Sequence, residues 1–222
     1  MGRFLWINVL AGLSAGILLQ VAWYFIFSAY NRRRGNEALQ QVEAACGGRA
    51  RISEVRWQRR SERLLASVRF PLRGLTNAQV TVRLRPRGMP IRWFFAWWKR
   101  QRETLTLDAD IDQTPRVSLR VFNHRTTYRD AEAVLDEKRD WEVVRTGPLV
   151  LTTRERGREE IVPELTALMS ARQNGFQQVE FRPVSPQFSA TIELGSLADP
   201  AAAAKFLASL RGIASGKSAQ RQ

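Results

Sequence analysis

The feature that most constrains this chain is an uncharged apolar stretch from Phe4 to Tyr30, whose 27 residues contain no Asp, Glu, Lys or Arg. As a helix that rises about 1.5 Å per residue, the stretch is longer than the hydrocarbon core of a bilayer, which is roughly 30 Å thick. Trp6 lies near one end and Trp23 near the other, where amphipathic rings favour the membrane–water interface. The sequence therefore predicts an N-terminal transmembrane helix.

A cleaved signal peptide is the alternative for this stretch. The apolar run is about twice as long as the apolar region of a typical signal peptide. In addition, Phe27 stands where a cleavage site favours a small residue. An uncleaved, single-pass membrane anchor is therefore the favoured interpretation.

Polar and small residues recur every four positions within the stretch, so they share one slowly drifting side of the predicted helix. This helix-packing stripe consists of Asn8, Gly12, Gly16, Gln20 and Tyr24. Helices in lipid associate through close backbone contact at small residues and through side-chain hydrogen bonds. We therefore predict that the stripe packs on a second helix, either in a copy of this chain or in another membrane protein. The alternative is a lone helix that tolerates two amides, since GxxxG spacing arises often by chance in helices rich in Gly and Ala.

The charges that flank the stretch predict its orientation. Arg32, Arg33 and Arg34 follow it, whereas Arg3 and the amino terminus precede it. Because positive charge is retained on the cytoplasmic side, the imbalance favours a cytoplasmic C-terminal domain on the cell inner membrane. A short positive N-terminus before an apolar run also begins signal anchors of the opposite topology, so the alternative orientation stays open.

The composition bounds the rest of the chain. About 190 residues follow the stretch, enough for one sizeable core or two small ones. Cys46 is the only cysteine, which excludes an internal disulfide, and we expect it to be a small buried residue rather than a reactive thiol. The formal net charge is +14, and Lys occurs at only four positions among the 35 basic residues. This basic, Arg-rich composition is typical of a bacterial GC-rich genome, and it attracts anionic partners.

Alternation of apolar and polar residues between positions 49 and 125 predicts an antiparallel, β-rich segment. Val80, Val82 and Leu84 alternate with Thr and Arg, and the same pattern recurs around 105–107 and 117–121. Turn residues separate these runs at 71–74, 86–88 and 113–115. Arginine at several of the polar positions predicts a basic outer face, which solvation and edge protection explain without a ligand.

One run within this segment breaks the alternation by placing aromatic residues between basic ones. This aromatic–basic patch consists of Arg92, Trp93, Phe94, Phe95, Trp97, Trp98, Lys99 and Arg100. It is too short to cross a bilayer, but Trp and Arg together suit the headgroup boundary. We predict contact with the membrane surface or a partner, and the alternative is a core strand with aromatic rings on both sides. Stacking on nucleic-acid bases is disfavoured because no RNA-binding signature accompanies the rings.

The region from 126 to 214 mixes predicted helices and strands. Helices are predicted at 127–139, 163–172 and 199–214, and strands at 141–145, 149–153, 176–182 and 187–194. With a preceding strand at 116–122, the element order matches a split βαβ, or ferredoxin-like, arrangement.

The predicted fold class is therefore α+β, with one N-terminal transmembrane helix, a β-rich antiparallel segment and a mixed α/β segment. A helix from Asn36 to Cys46 is expected to extend the membrane helix as a short stalk. The predicted divisions are the anchor at 1–35, the juxtamembrane helix at 36–48, the β-rich segment at 49–125, the α/β segment at 126–214 and a disordered tail at 215–222.

The sequence predicts no catalytic, cofactor or metal site. His124 is the only histidine and lies far along the chain from Cys46, so metal ligation and imidazole-assisted nucleophiles lack the residues they require. Glycine-rich phosphate-binding motifs are absent from the sequence. Asp108 and Asp110 share a strand face, but this spacing is common by chance.

We therefore expect a non-catalytic, membrane-anchored accessory, scaffold or assembly subunit of a larger membrane protein complex. Its expected partners are membrane lipid and either other integral membrane subunits or a second copy of its own transmembrane helix. The alternative is a membrane-tethered basic module that binds anionic lipid or nucleic acid, and an enzyme is the least favoured class.

Overall fold

The computed structural model describes residues 2–46, 51–58, 62–69, 75–111, 118–123, 142–146, 149–153 and 176–198. The helices in this part of the chain are α1 (Gly2–Ala45), α2 (Pro90–Trp98) and a short 3-10 helix, η1 (Leu194–Ala198). The strands are β1 (Arg51–Gln58), β2 (Arg63–Arg69), β3 (Leu75–Arg83), β4 (Thr104–Ile111), β5 (Leu119–Asn123), β6 (Glu142–Thr146), β7 (Leu149–Thr153), β8 (Phe176–Phe181) and β9 (Phe188–Glu193).

The described strands form one nine-stranded sheet in the order β1-β2-β3-β4-β9-β8-β5-β7-β6. Every neighbouring pair is antiparallel. The last of the described strands, β9, lies between β4 and β8 and so joins the first four strands to the strands β5 to β8. One long N-terminal helix and an antiparallel sheet confirm the predicted α+β class. The boundary predicted at residue 125 stays a prediction.

Most of the strands follow the alternation in the sequence. The patterns at 80–84, 105–107, 117–121, 141–145, 149–153, 176–182 and 187–194 fall on the strands β3 to β9. Within the predicted β-rich segment, no separate runs were predicted for β1 and β2. The helices predicted at 127–139, 163–172 and 199–214, the turns at 71–74 and 113–115, and the tail at 215–222 lie outside the described residues.

One face of the sheet forms the hydrophobic core. Leu64, Val82, Leu105 and Ile192 lie opposite one another in consecutive strands, and all four are buried. A parallel row contains Ala66, Val80, Leu107, Ala190, Val179 and Val121. Burying large aliphatic side chains in this way contributes about 1.5–3 kcal/mol each.

The C-terminal part of α1 covers this face, with Ala38, Leu39 and Val42 buried in the same core. The helix predicted from Asn36 onward is therefore present, but it is a core element rather than a stalk. Gly35 allows the close approach, because a Cβ at this position would lie 2.5 Å from Cη2 of Trp57 on β1.

Cys46 lies half-buried at the end of α1 and packs against the core. Burial, and next the nearby carboxylate of Glu43, raise the pKa of its thiol to about 11. Because the thiolate is the reactive form, Cys46 is a poor nucleophile at neutral pH, in line with the structural role predicted for it.

The opposite face of the sheet is polar and carries both arginines and carboxylates in the described strands, and the predicted basic outer face stays a prediction. One cross-strand row on this face contains Gln79, Asp108, Ser189, Glu180 and Arg120. Burial alone would raise the pKa of Glu180, but hydrogen bonds from Arg182 and Arg120, together with their charges, hold this pKa below its usual value. Glu180 thus offsets the charge of Arg120 and Arg182 on this face.

Candidate membrane interface

The N-terminal half of helix α1 is exposed and apolar, and its C-terminal half packs on the folded domain. The part from Trp6 to Ala45 is long and apolar enough to cross a membrane, by length and composition. Side chains from Trp6 to Ala22 are exposed, whereas Asn31 and the residues beyond it alternate between exposed and buried with a helical period. The residues that suit a bilayer therefore precede those that pack on the sheet.

The helix-packing stripe lies on the exposed half for most of its length. Asn8 and Gln20 are exposed, and a Cβ built at Gly12 or Gly16 would meet no described atom within 4 Å. Tyr24 differs, because it is half-buried and its ring lies 3.6 Å from a Cβ built at Gly88. Four of the five residues of the stripe are thus open, and the fifth lies beside the loop that contains Gly88.

A junction of polar side chains fixes α1 to the connection between β3 and α2. The indole Nε1–H of Trp23 donates a hydrogen bond to the carbonyl oxygen of Arg87 over 2.9 Å. Asn31 is buried, and its amide Nδ2 donates to the carbonyl oxygen of Arg85 over 3.2 Å. The amide side chain also accepts a hydrogen bond from Nη1 of Arg87 at 2.9 Å. We call Trp23, Asn31, Arg85, Arg87 and Glu103 the junction.

An ion pair completes the junction. Nη2 of Arg87 lies 2.7 Å from Oε1 of Glu103, and both side chains are less than 15% exposed. The guanidinium carbon of Arg87 also lies 4.7 Å from the ring centre of Tyr30. Buried charges are costly unless they are paired and hydrogen-bonded, and here each has a partner. The junction therefore holds the domain in one orientation on α1.

The three arginines expected to set the topology lie on α1 beside this junction. Nε of Arg33 lies 3.0 Å from Glu37, and Arg34 lies 3.5 Å from Glu37 and 3.9 Å from Glu103. Arg32 is exposed. Glu37 and Glu103 thus offset part of the positive charge of Arg33 and Arg34, on which the predicted cytoplasmic C-terminus depends. The orientation stays a prediction.

The aromatic–basic patch forms the helix α2, so the alternative of a core strand is wrong. Pro90 occupies the start of the helix, where its missing N–H removes no hydrogen bond. Ala96 is the buried residue of α2, and the ring centre of Trp93 lies 5.9 Å from that of Trp23 on α1. Exposed apolar side chains of α2 are Ile91, Phe94, Phe95, Trp97 and Trp98.

The exposed aromatic rings of α2 form a cluster around Phe94. Its ring centre lies 6.1 Å from those of Phe95 and Trp97 and 5.7 Å from that of Trp98. Trp98 is 69% exposed. Large apolar side chains grouped on a surface in this way are more typical of contact sites than of ordinary surface scatter.

Basic residues border the cluster at both ends of α2. Nη1 of Arg92 lies 3.3 Å from Oε1 of Glu62, while Lys99 and Arg100 are exposed just after the helix. Arg100 has a positive φ of 50°, a conformation that favours glycine. The backbone N–H groups of Arg100 and Gln101 close the helix on the carbonyls of Trp97 and Ala96.

The helix α2 lies against α1 at Trp23, near the C-terminal end of the apolar stretch. Trp23 belongs to the end of the apolar stretch, and it contacts both α2, through Trp93, and the loop before it, through Arg87. At about 100° per residue, Gly16, Gln20, Trp23 and Phe27 point within about 60° of one another. The aromatic helix and the open stripe therefore lie on the same side of α1.

Sequence reasoning found the exposed residues of this region and missed those that connect them. Arg87 was interpreted as part of a turn, and Glu103 and Gly35 received no role. Their partners lie far along the chain, so no local spacing indicated them. The one local signal was Asn31, an amide directly after the apolar stretch.

Within the part of the chain that the structure describes, no group of three or more His, Cys, Asp or Glu side chains could hold a metal ion. Comparison of the sequence with protein-family models and with curated proteins gives no match.

Proposed function

We propose that this chain is a single-pass, non-catalytic accessory, scaffold or assembly subunit of a larger membrane protein complex. The observation that carries the proposal is the open surface at Gly12 and Gly16 on the side of α1 that also bears α2. A partner helix in this position would contact small residues in the bilayer and aromatic residues at its surface. The junction supports the proposal because a scaffold must hold its domain in a defined orientation.

The proposed location is a bacterial inner membrane with the C-terminal domain in the cytoplasm. The arginines at 32–34 favour this orientation, since they outnumber the positive groups before the stretch.

A second candidate is attachment of the domain to anionic lipid, and the exposed rings of α2 favour it. An interfacial helix places aromatic rings at the boundary between headgroups and acyl chains and keeps cations among the headgroups. Ile91, Phe94 and Trp98 provide such an apolar surface, and Lys99 and Arg100 provide the charge. The two candidates are compatible, because α2 can contact lipid on one side and a subunit on the other.

We also propose that residues 119–181 form a ferredoxin-like unit within the larger sheet. The order β8-β5-β7-β6 supports it. Strands β5 and β6 are both antiparallel to β7, so β5 and β6 run in the same direction with β7 between them. Strands β7 and β8 are both antiparallel to β5, so β7 and β8 run in the same direction with β5 between them. Two crossovers of this kind are what a split βαβ arrangement requires.

The test of the subunit proposal is the double variant Gly12→Leu with Gly16→Leu. It keeps the helix long and apolar enough to insert, but it separates the two backbones at the stripe. We expect stable, inserted protein that no longer co-purifies with membrane partners from mild detergent. Gln20→Leu should have a smaller effect, because hydrogen bonds within membranes average about 0.6 kcal/mol.

The matched control is Ser14→Leu. Ser14 is two residues from each glycine and therefore lies about 160° round the helix from both. The Ser14→Leu variant also adds a Leu side chain to the helix, but on the opposite side, so it should leave co-purification with membrane partners unchanged. If the Gly12/Gly16 variant co-purifies as well as the parent does, the stripe is not an interface and the subunit proposal loses its support.

A further inference from the structure

A polar groove of about 510 Å³ lies on the outer face of the sheet, next to α2. Its floor contains Thr81, Thr106 and Thr191, which lie opposite one another on β3, β4 and β9. The hydroxyl oxygens of Thr106 and Thr191 are 3.1 Å apart. A hydroxyl rotates to donate or accept, so the floor offers hydrogen-bond donors to a ligand.

Two arginines line the groove and face each other. Arg63 and Arg83 are directly opposite in the register of β2 and β3, and both are exposed. Like charges in opposed positions destabilise a sheet. Among the described residues, neither arginine takes part in an ion pair. An anion between the two guanidinium groups would turn this repulsion into attraction.

A third arginine connects the groove to α2. Arg92 lines the groove together with Glu62, and the two side chains form an ion pair at 3.3 Å. The carboxylate of Glu62 is therefore paired with Arg92 rather than with Arg63 or Arg83. Arg92 belongs to the same helix as the exposed aromatic cluster, so the groove opens beside the surface that we propose to face the membrane.

We propose that this groove binds a phosphate group between Arg63 and Arg83, with the threonine hydroxyls as further donors. Guanidinium groups present paired N–H donors that match the oxygens of a phosphate. Because the groove adjoins α2, the proposed source of the phosphate is the headgroup of an anionic phospholipid. This choice of source rests on the membrane anchoring proposed above, whereas the anion site itself does not.

The test uses the full-length protein in a neutral detergent, with thermal unfolding as the measurement. The probes are dihexanoyl phosphatidic acid, dihexanoyl phosphatidylcholine and inorganic phosphate, at matched ionic strength. A ligand that binds only the folded protein raises the unfolding temperature as its concentration exceeds Kd. The test variant is Arg63→Gln with Arg83→Gln. Its matched control is Arg51→Gln with Arg69→Gln, a second opposed arginine pair at the other end of β2.

The phosphatidic acid should stabilise the parent and the control, and phosphatidylcholine should stabilise neither. The apparent Kd of the Arg63/Arg83 variant should rise by at least about tenfold, because the variant removes both charge-assisted donors to the phosphate. Without ligand, this variant should unfold no earlier than the parent, since it relieves the repulsion. Thr106→Val, which keeps the side-chain shape, provides a second variant and should weaken binding by a smaller factor.

The other possible results overturn either the anion site or the lipid as its source. Equal stabilisation by inorganic phosphate and by phosphatidic acid supports the anion site and overturns the lipid as its source. The site is overturned if both double variants lose the stabilisation equally. It is also overturned if neither phosphatidic acid nor inorganic phosphate stabilises the parent. Whether the parent stays in the membrane fraction after carbonate extraction is measured separately, so failure of the anchoring proposal is distinguishable from failure of the groove.

Discussion

The indole N–H of Trp23 donates a hydrogen bond to the carbonyl oxygen of Arg87, 64 positions later in the chain, over 2.9 Å. Trp23 lies in the C-terminal third of the apolar stretch, and Arg87 lies three residues before α2. This bond therefore joins the proposed bilayer segment to the segment that carries the exposed aromatic rings. The side chain of Arg87 adds the ion pair with Glu103 and the hydrogen bond to Asn31.

The first prediction concerns the ion pair of the junction. Arg87→Leu leaves the carboxylate of Glu103 largely buried without its close partner, and breaking such a pair costs about 3–5 kcal/mol. We expect a clear fall in the free energy of unfolding, measured by denaturant titration in detergent. Arg33→Leu is the control, because the side chain of Arg33 is 83% exposed in its pair with Glu37 and such pairs contribute about 0–1 kcal/mol. Equal losses in the two variants would contradict the account of the junction.

The second prediction concerns the contact between α1 and β1. Alanine normally stabilises a helix by about 1 kcal/mol relative to glycine. At Gly35 the added Cβ would lie 2.5 Å from Trp57, so Gly35→Ala should instead lower the unfolding temperature. Gly16→Ala, where no described atom is near, should not lower it. A Gly35→Ala protein as stable as the parent would show that α1 does not pack this closely on β1.

The third prediction separates stability from membrane contact at Arg100. Arg100→Gly removes an unfavourable positive φ, which costs a non-glycine residue about 1 kcal/mol or more, and should raise the unfolding temperature. The same change removes a cation beside α2 and should weaken attachment of the domain to anionic lipid. Lys99→Gly, at a φ of −71°, should weaken attachment without the gain in stability. Crosslinking of the domain to anionic lipid in nanodiscs measures the attachment, and an unchanged yield in both variants would count against it.

The fourth prediction concerns pH. The pKa of Glu180 is lowered in the folded protein, because hydrogen bonds from Arg182 and Arg120 outweigh the effect of burial. Its ionised form therefore stabilises the fold above the unfolded pKa of about 4.3, and this contribution is lost as the pH falls through the lower folded value. Glu180→Gln should be less stable than the parent at pH 7, and the difference should shrink below about pH 4. A difference that is constant from pH 7 to pH 3 would exclude this origin.

Sequence periodicity was sufficient for α1 and for most of the sheet, because both are local patterns. The period of two at Val80 and Val82 and at Leu105 and Leu107 indicated which side chains face the core. The aromatic run at 93–98 was predicted as a contact surface but not as a helix, since a short apolar run is compatible with a strand as well as with a helix. Its location was beyond sequence reasoning, because it depends on Trp23 and Arg87 meeting across the chain.

The same limit applies to the charges on the outer face. Arginines at 83 and 120 alternate with apolar residues, so each strand alone suggests a basic surface. Glu180 and Asp108 come from other strands, and only the register of the sheet brings these carboxylates into one row with Arg120. The opposed pair Arg63 and Arg83 also depends on register, and no pattern along the sequence connects them.

The most direct test of the central claim is the depth of α2 in a bilayer. A nitroxide label on Trp98→Cys, in a Cys46→Ser background and in lipid nanodiscs, reports depth through its relative accessibility to oxygen and to a water-soluble nickel complex. The membrane account predicts greater oxygen accessibility at position 98, and mainly nickel accessibility for a control label on Thr76→Cys at the far end of β3. If both labels show the aqueous pattern, α2 does not lie in the membrane interface, and the proposed arrangement of the domain on the bilayer is wrong.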